Sequence, residues 1–334
     1  MRYLFRTFTA FVLFLSSNAY AASPSVAVDI APLHSLVSQV MEGVGQPKLL
    51  MPAGASPHHY TLKPSEAKAL ESADVVFWVG ERLSPWLGKA LKNLASEAQN
   101  IEMLEIDGTT IYMSREGATF ESHDHDDEHS DEHDDDHDEK KGHKEKGHKD
   151  DEHEDEHHKD EHHDKTDPHA WLDPENAKLW VKYIGETLSK QDPDNASIYS
   201  ENVTKATASL DALIKSTDTQ IKALGNPQFI VFHDAYQYFE KRFGISAAGS
   251  IKLGDAADPS PARIKEVQAI VKKLGVTCVF SEPQYNPAIV KTVFEGTSVS
   301  TIGVMDPLGQ SLAVGSGQYQ QLIEAMVKSL SQCK

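Results

Sequence analysis

Twelve of the chain's 17 histidines fall within 42 consecutive residues, 123–164. His123, His125, His129, His133, His137, His143, His148, His153, His157, His158, His162 and His163 alternate there with 21 acidic residues and 6 lysines. Only Ser130, Gly142 and Gly147 interrupt them. Imidazole and carboxylate at this density are ligands for divalent metal, zinc and its neighbours in particular. The segment has no apolar residue to bury, so it cannot offset its own ordering entropy, and a mobile, low-affinity loop is expected. The plainer alternative, an acidic solvated linker with incidental His, leaves the crowding of imidazoles into an eighth of the chain without a cause.

A loop of this kind identifies the ligand, while a specific site must lie in the folded remainder. Five histidines are left there: His34, His58, His59, His169 and His233. His58 and His59 stand in Gly54-Ala55-Ser56-Pro57-His58-His59-Tyr60, and His169 in Asp167-Pro168-His169-Ala170-Trp171-Leu172. His233 follows the strand-like run 229–232. Taken singly, a His is more often a hydrogen-bonded core or surface residue than a ligand. Three of them on separate segments, each in a Pro-containing or strand-end turn, fit Zn(II), which takes imidazole readily. His34 reads as structural, in the first turn of a helix. His59 and Tyr60 read as supports for the first ligand. Asp306, just after another strand, occupies a position comparable to that of His233.

The elements that must position these side chains alternate β and α. Strands are expected at 26–30, 48–51, 75–79 and 101–106, with helices at 33–41, from Pro64 onward and at 85–95. After the charged loop come a helix at 174–190 and one unbroken helical pattern over 194–224. A second alternating set follows, with strands at 229–232, 245–250, 276–281 and 299–304 and helices at 235–243, 261–274, 287–295 and 316–331. Such alternation implies an α/β fold with parallel sheets. The long helix reads as a spine between two lobes. Ligands of open α/β sheets collect outside the carboxyl ends of strands, which is where His58, His233 and Asp306 fall. The divisions expected are a leader (1–21), a first lobe (22–120), the charged loop (121–166), completion of the first lobe (167–193), the linking helix (194–224) and a second lobe (225–334).

The leader assignment rests on Arg2 and Arg6, a short apolar run over 8–15, and Ala19-Tyr20-Ala21, which fits a small-x-small cleavage rule. The run is too short to span a bilayer, which takes about 20 residues. No Cys lies near the cleavage point, so the protein is expected to be exported, soluble and periplasmic, without a lipid anchor. Cys278 and Cys333 are the only possible disulfide pair, and exported proteins live where disulfides persist. Two independent buried thiols are the alternative. The acidic loop carries −15 of the net charge of −19, which leaves −4 for the rest. No basic patch invites nucleic acid.

Three motifs together resemble a family. Leu49-Leu50-Met51-Pro52-Ala53-Gly54-Ala55-Ser56-Pro57-His58-His59-Tyr60 resembles its first metal-ligand loop. Asp167-Pro168-His169-Ala170-Trp171-Leu172-Asp173-Pro174 resembles the second, and Phe232-His233-Asp234-Ala235-Tyr236-Gln237-Tyr238-Phe239 the third. The family is that of the ZnuA-type periplasmic zinc receptors of ABC importers. The resemblance implies βα sandwich lobes on a rigid helix, metal held between them by His58, His169 and His233, and a disulfide where the two Cys stand. Imidazole at the place of His233 favours zinc over manganese, whose receptors carry a carboxylate there. Some zinc relatives carry Glu just before the first ligand, where this chain has Pro57. That leaves Asp306, a water or a loop His as fourth ligand, with Asp306 or water preferred. The function implied is capture of Zn(II), the transported ligand, by a monomer that docks transiently on an ABC permease. A secreted zinc buffer or adhesin is one alternative. A zinc-dependent hydrolase is another, disfavoured by the lack of an H-E-x-x-H helix.

Overall fold

The computed structural model describes residues 23–115, 165–252 and 259–333. The leader read at 1–21 and the twelve histidines of the acidic loop lie outside the described residues. Two four-stranded parallel sheets organise the rest. The first holds β1 (Val26–Val28), β2 (Lys48–Leu49), β3 (Val75–Trp78) and β4 (Gln99–Glu102), in the order β2-β1-β3-β4. The second holds β5 (Phe229–His233), β6 (Gly249–Lys252), β7 (Cys278–Ser281) and β8 (Thr301–Val304), in the matching order β6-β5-β7-β8. Every residue of β1, β3, β5, β6 and β7 is buried, as strands covered on both faces require.

Helices cover those faces. The first lobe uses α1 (Ala31–Val40), α2 (Pro64–Glu71), α3 (Pro85–Leu94) and α4 (Pro174–Gln191). The second uses α6 (Gln237–Phe243), α7 (Pro261–Leu274), α8 (Pro287–Phe294) and α9 (Gln318–Leu330). Between them α5 (Ala196–Leu224) runs 29 residues, or about 44 Å at 1.5 Å per residue. Its buried side chains Tyr199, Asn202, Ala206, Leu210, Leu213, Thr217 and Ile221 recur every three or four residues and form one stripe. That stripe packs on α1, α4 and α9, so both lobes lean on it. One continuous core contains Val26, Val28 and Phe77 of the first sheet, Phe229, Val231 and Phe280 of the second, and Leu210 and Leu213 of α5. Separate clusters fill the outer faces of the two sheets. Among the described residues, no helix is long and apolar enough to cross a membrane.

Three expected elements shift. The strand expected at 101–106 lies at Gln99–Glu102, because Gln99 N pairs with Asp74 O at 2.9 Å. Met103–Glu105 then wind into a 3-10 turn that sends Met103 and Leu104 into the core. The strand expected at 245–250 lies at Gly249–Lys252. Residues 245–248 instead close the end of α6, where Gly244 takes the left-handed φ of 68° and Ile245 N bonds Glu240 O at 3.1 Å. His233 is the last residue of β5 rather than the residue after it.

Cys278 and Cys333 form a disulfide, with their Cα atoms 5.4 Å apart, and tie the chain's end to the start of β7.

Candidate metal centre

His58 reaches the interlobe cleft on the turn that follows β2. Trp86 Nε1 donates to Pro57 O at 2.7 Å, and the Tyr60 ring packs edge-on against Trp86. Tyr60 also donates its hydroxyl to Glu66 of α2 at 2.9 Å. Burial of that phenol, helped by Glu66, raises its pKa to about 12. From the other lobe, Gln310 Nε2 donates to Ala55 O at 3.2 Å.

His169 caps a 3-10 turn, Ala170–Leu172, that follows Pro168 and leads through Asp173 into α4. Its Nδ1–H donates to Asp167 Oδ1 at 2.7 Å, and its backbone N to the same oxygen at 3.1 Å. His233 stands at the carboxyl end of β5. Its Nδ1–H donates to Glu282 Oε1 at 2.6 Å, and its backbone N to that oxygen at 3.2 Å. Glu282 directly follows β7, the neighbour of β5 in the sheet. The strand order reverses at that junction, so the pair occupies the crevice where ligands of open α/β sheets bind.

The three imidazoles meet. Ligand atoms of His58, His169 and His233 all lie within 4.8 Å of one another. Ring centroids are 5.8 Å apart for His58 and His169 and 5.3 Å for His169 and His233. His169 and His233 are buried, and His58 is half-buried. With Nδ1 bound to a carboxylate in His169 and His233, Nε2 is the nitrogen that could ligate a metal in both. A carboxylate behind a ligand His fixes its tautomer and raises its basicity, as zinc sites use. Tetrahedral zinc at about 2.0–2.1 Å sets its nitrogens roughly 3.3 Å apart, within small rotamer changes of this arrangement.

Two sequence-predicted positions fall outside the group. Asp306 is not in it, because its carboxylate caps the turn after β8, accepting from Leu308 N and Gly309 N at 3.0 Å and Gln310 N at 2.6 Å. It stays close enough that its charge, after burial and the charge of Glu282, helps raise the Tyr236 phenol well above its ordinary pKa of 10.0. His59 is exposed and only closes the turn, its N bonding Ser56 O at 3.3 Å. Conversely, the structure puts Asp167, which the sequence reading does not single out, and Glu282, which it offers only as a general base for the hydrolase alternative, behind His169 and His233. Their signals are a carboxylate two residues before His169 and one at the end of the strand beside His233.

Comparison with known proteins gives the family. The family model described as zinc-uptake complex component A, periplasmic, covers residues 26–333. The chain belongs to the ZnuA family. A high-affinity zinc uptake system protein ZnuA of Brucella abortus (strain 2308) is 46% identical over 320 residues, spanning 96% of this chain and 94% of the relative. The protein of that name from Paracoccus denitrificans (strain Pd 1222) is 41% identical over 315 residues, 94% and 93% of the two chains. In fold, a crystal structure of ZnuA superposes with a TM-score of 0.69 at 20% identity, covering 93% of this chain and 99% of that one. The ZnuA family is a periplasmic, zinc-binding solute receptor for ABC import.

Proposed function

We propose that this chain captures Zn(II) in the periplasm through His58, His169 and His233 and hands it to an ABC permease. The observation that carries this is the convergence of three imidazoles from both lobes, two of them backed by buried carboxylates. Three nitrogen donors with no thiolate suit zinc, and a fourth place open to water suits a cargo that must leave again. Water takes that place rather than Asp306, whose two oxygens already serve three backbone N–H groups. Residues 1–21 are removed on export, near Ala21. The divisions at 22–120, 121–166, 167–193, 194–224 and 225–334 stand as lobes, loop and linker of a monomer.

The chain acts as a receptor and not as an enzyme. Both oxygens of Glu282 and of Asp167 are engaged, Glu282 by His233 and Gln284 and Asp167 by His169 and Gln237. Both carboxylates are spent on orienting the groups behind the metal face, and neither is assigned to proton transfer there. The acidic loop collects several ions weakly, since a sequence with no apolar residue to bury gains nothing that offsets about 1–2 kcal/mol per residue fixed on binding. A crystal soaked in zinc tests the reading directly. The anomalous difference map at the zinc edge is expected to place one strong peak among His58, His169 and His233. A strong peak elsewhere, with none there, would overturn it.

A further inference from the structure

Behind the two buried ligands runs a polar connection that no metal contact requires. Residues 112–114 pair antiparallel with 165–167. Ser114 N bonds Lys165 O at 2.7 Å and Asp167 N bonds Tyr112 O at 2.9 Å, with a bridge between Met113 and Thr166. This short ladder belongs to the first lobe and carries Asp167, the carboxylate behind His169. It is held on α6 of the second lobe, the helix that begins four residues after His233.

Four contacts make that attachment. Gln237 Nε2 donates to Asp167 Oδ2 at 3.0 Å and to Met113 O at 2.9 Å. Tyr238 donates its hydroxyl to Asp167 O at 2.7 Å. Tyr238's oxygen also accepts from Tyr112 N at 3.0 Å. Arg115, at the end of the ladder, forks onto two carboxylates of the second lobe. Its Nη1 reaches Glu240 Oε2 at 2.7 Å, its Nε lies 3.0 Å from Asp234 Oδ2, and its Nη2 contacts both residues. Asp234 follows His233 directly, and both carboxylates are buried, at 8% and 2% exposure. Burial opposes the guanidinium's charge, but Glu240 and Asp234 more than offset it and hold it protonated.

We propose that Arg115 is a positioning residue for zinc retention, locking the ladder behind His169 to the helix behind His233 so that the two imidazoles keep one relative geometry. The inference rests on the three-His reading of the site. Arg115 is suited to this because its planar fork satisfies two carboxylates at once, which a lysine ammonium does with far less geometric definition. Loosening the fork frees Asp167 to shift against Glu282, and the Nε2 atoms of His169 and His233 lose their register. Groups bonded directly to a ligand His typically change affinity by about 10- to 100-fold, and Arg115, which acts one contact farther out, is expected at the lower end of that range.

The test measures zinc release into a chelator, and the visible spectrum of the Co(II)-loaded site, in the full chain. Wild type, His233→Ala, Arg115→Lys, Arg115→Gln and Arg115→Gln/Glu240→Gln are compared. The double variant removes a buried carboxylate along with the cation, so it leaves one unpaired buried charge where Arg115→Gln leaves two, and circular dichroism checks that each variant is folded. Release is expected to quicken by about 10-fold or more in the double variant and by less in Arg115→Lys. Their cobalt bands should shift while retaining tetrahedral intensity. A double variant with wild-type release and spectrum, alongside a His233→Ala protein that has lost tight binding, overturns the Arg115 inference and leaves the site intact. Equal tight binding by wild type and His233→Ala overturns the site and the inference together.

Discussion

His169 and His233 each donate Nδ1–H to a carboxylate buried behind them, Asp167 and Glu282. Such partners orient the ring before metal arrives and lose nothing when it does. Glu282→Gln keeps the side chain's shape and removes its charge, so zinc affinity in chelator competition should fall about 10-fold, and further in Glu282→Ala. Unchanged affinity in both would deny the carboxylate this role. Acid acts on the same atoms. A ligand imidazole must be neutral to bind metal, and a free imidazole protonates near pH 6.5. Zinc binding should therefore release protons and weaken steeply between pH 7.5 and pH 5. An affinity constant across that range would contradict a primary shell of imidazoles.

At the level of the strand and helix, proline placement makes much of the fold legible. Pro64, Pro85, Pro174, Pro261 and Pro287 each open a helix where the sequence reading put one. The ends of strands are less legible, because pairing partners decide them. Gln99 and Asn100 join β4 despite being polar, and Ile245 leaves β6 despite being apolar, since Asp74 and Glu240 respectively supply their backbone partners. For the same reason the three clustered imidazoles could be read from their turns, while the link from Glu282 to His233 depends on β5 and β7 being neighbours. Asp29 shows what such a strand end can hold. Its carboxylate joins β1 to β3 through Ile30 N at 2.8 Å and Val79 N at 2.9 Å. Burial nevertheless raises its pKa to about 7 from an ordinary 3.8, those N–H groups working against the shift. The folded state thus holds a proton that the unfolded chain gives up. The stability tied to that proton is complete below pH 3.8 and is lost as pH rises to about 7, at roughly 1.4 kcal/mol per pH unit. Urea unfolding of wild type and Asp29→Asn from pH 4 to pH 8 should show this falling component in wild type only. Identical pH profiles would contradict it.

Over the whole molecule, two lobes share one core along α5 and are pinned together beside the metal centre. Arg242 sends its guanidinium back to Asp173 of the first lobe at 2.7 Å, the reciprocal of Arg115. The lobes and spine were legible because alternating βα segments and a 29-residue helix admit few arrangements. The interlobe ion pairs were not, since nothing local marks Arg115 as the partner of Asp234 and Glu240. The Cys278–Cys333 bond closes a 55-residue separation and ties α9's end to β7. Its loss should cost about 4 kcal/mol in the chain-entropy model, seen as a fall in Tm on the order of 10 °C for Cys278→Ser/Cys333→Ser against wild type. An unchanged Tm would mean that α9 is held by packing alone. The central claim is that one zinc binds tightly between the lobes through His58, His169 and His233. Competitive zinc titration of protein lacking residues 123–164, with and without His233→Ala, addresses it without interference from the acidic loop. The account predicts one tight equivalent in the first protein and a loss of affinity by orders of magnitude in the second. Equal tight binding by both would contradict it.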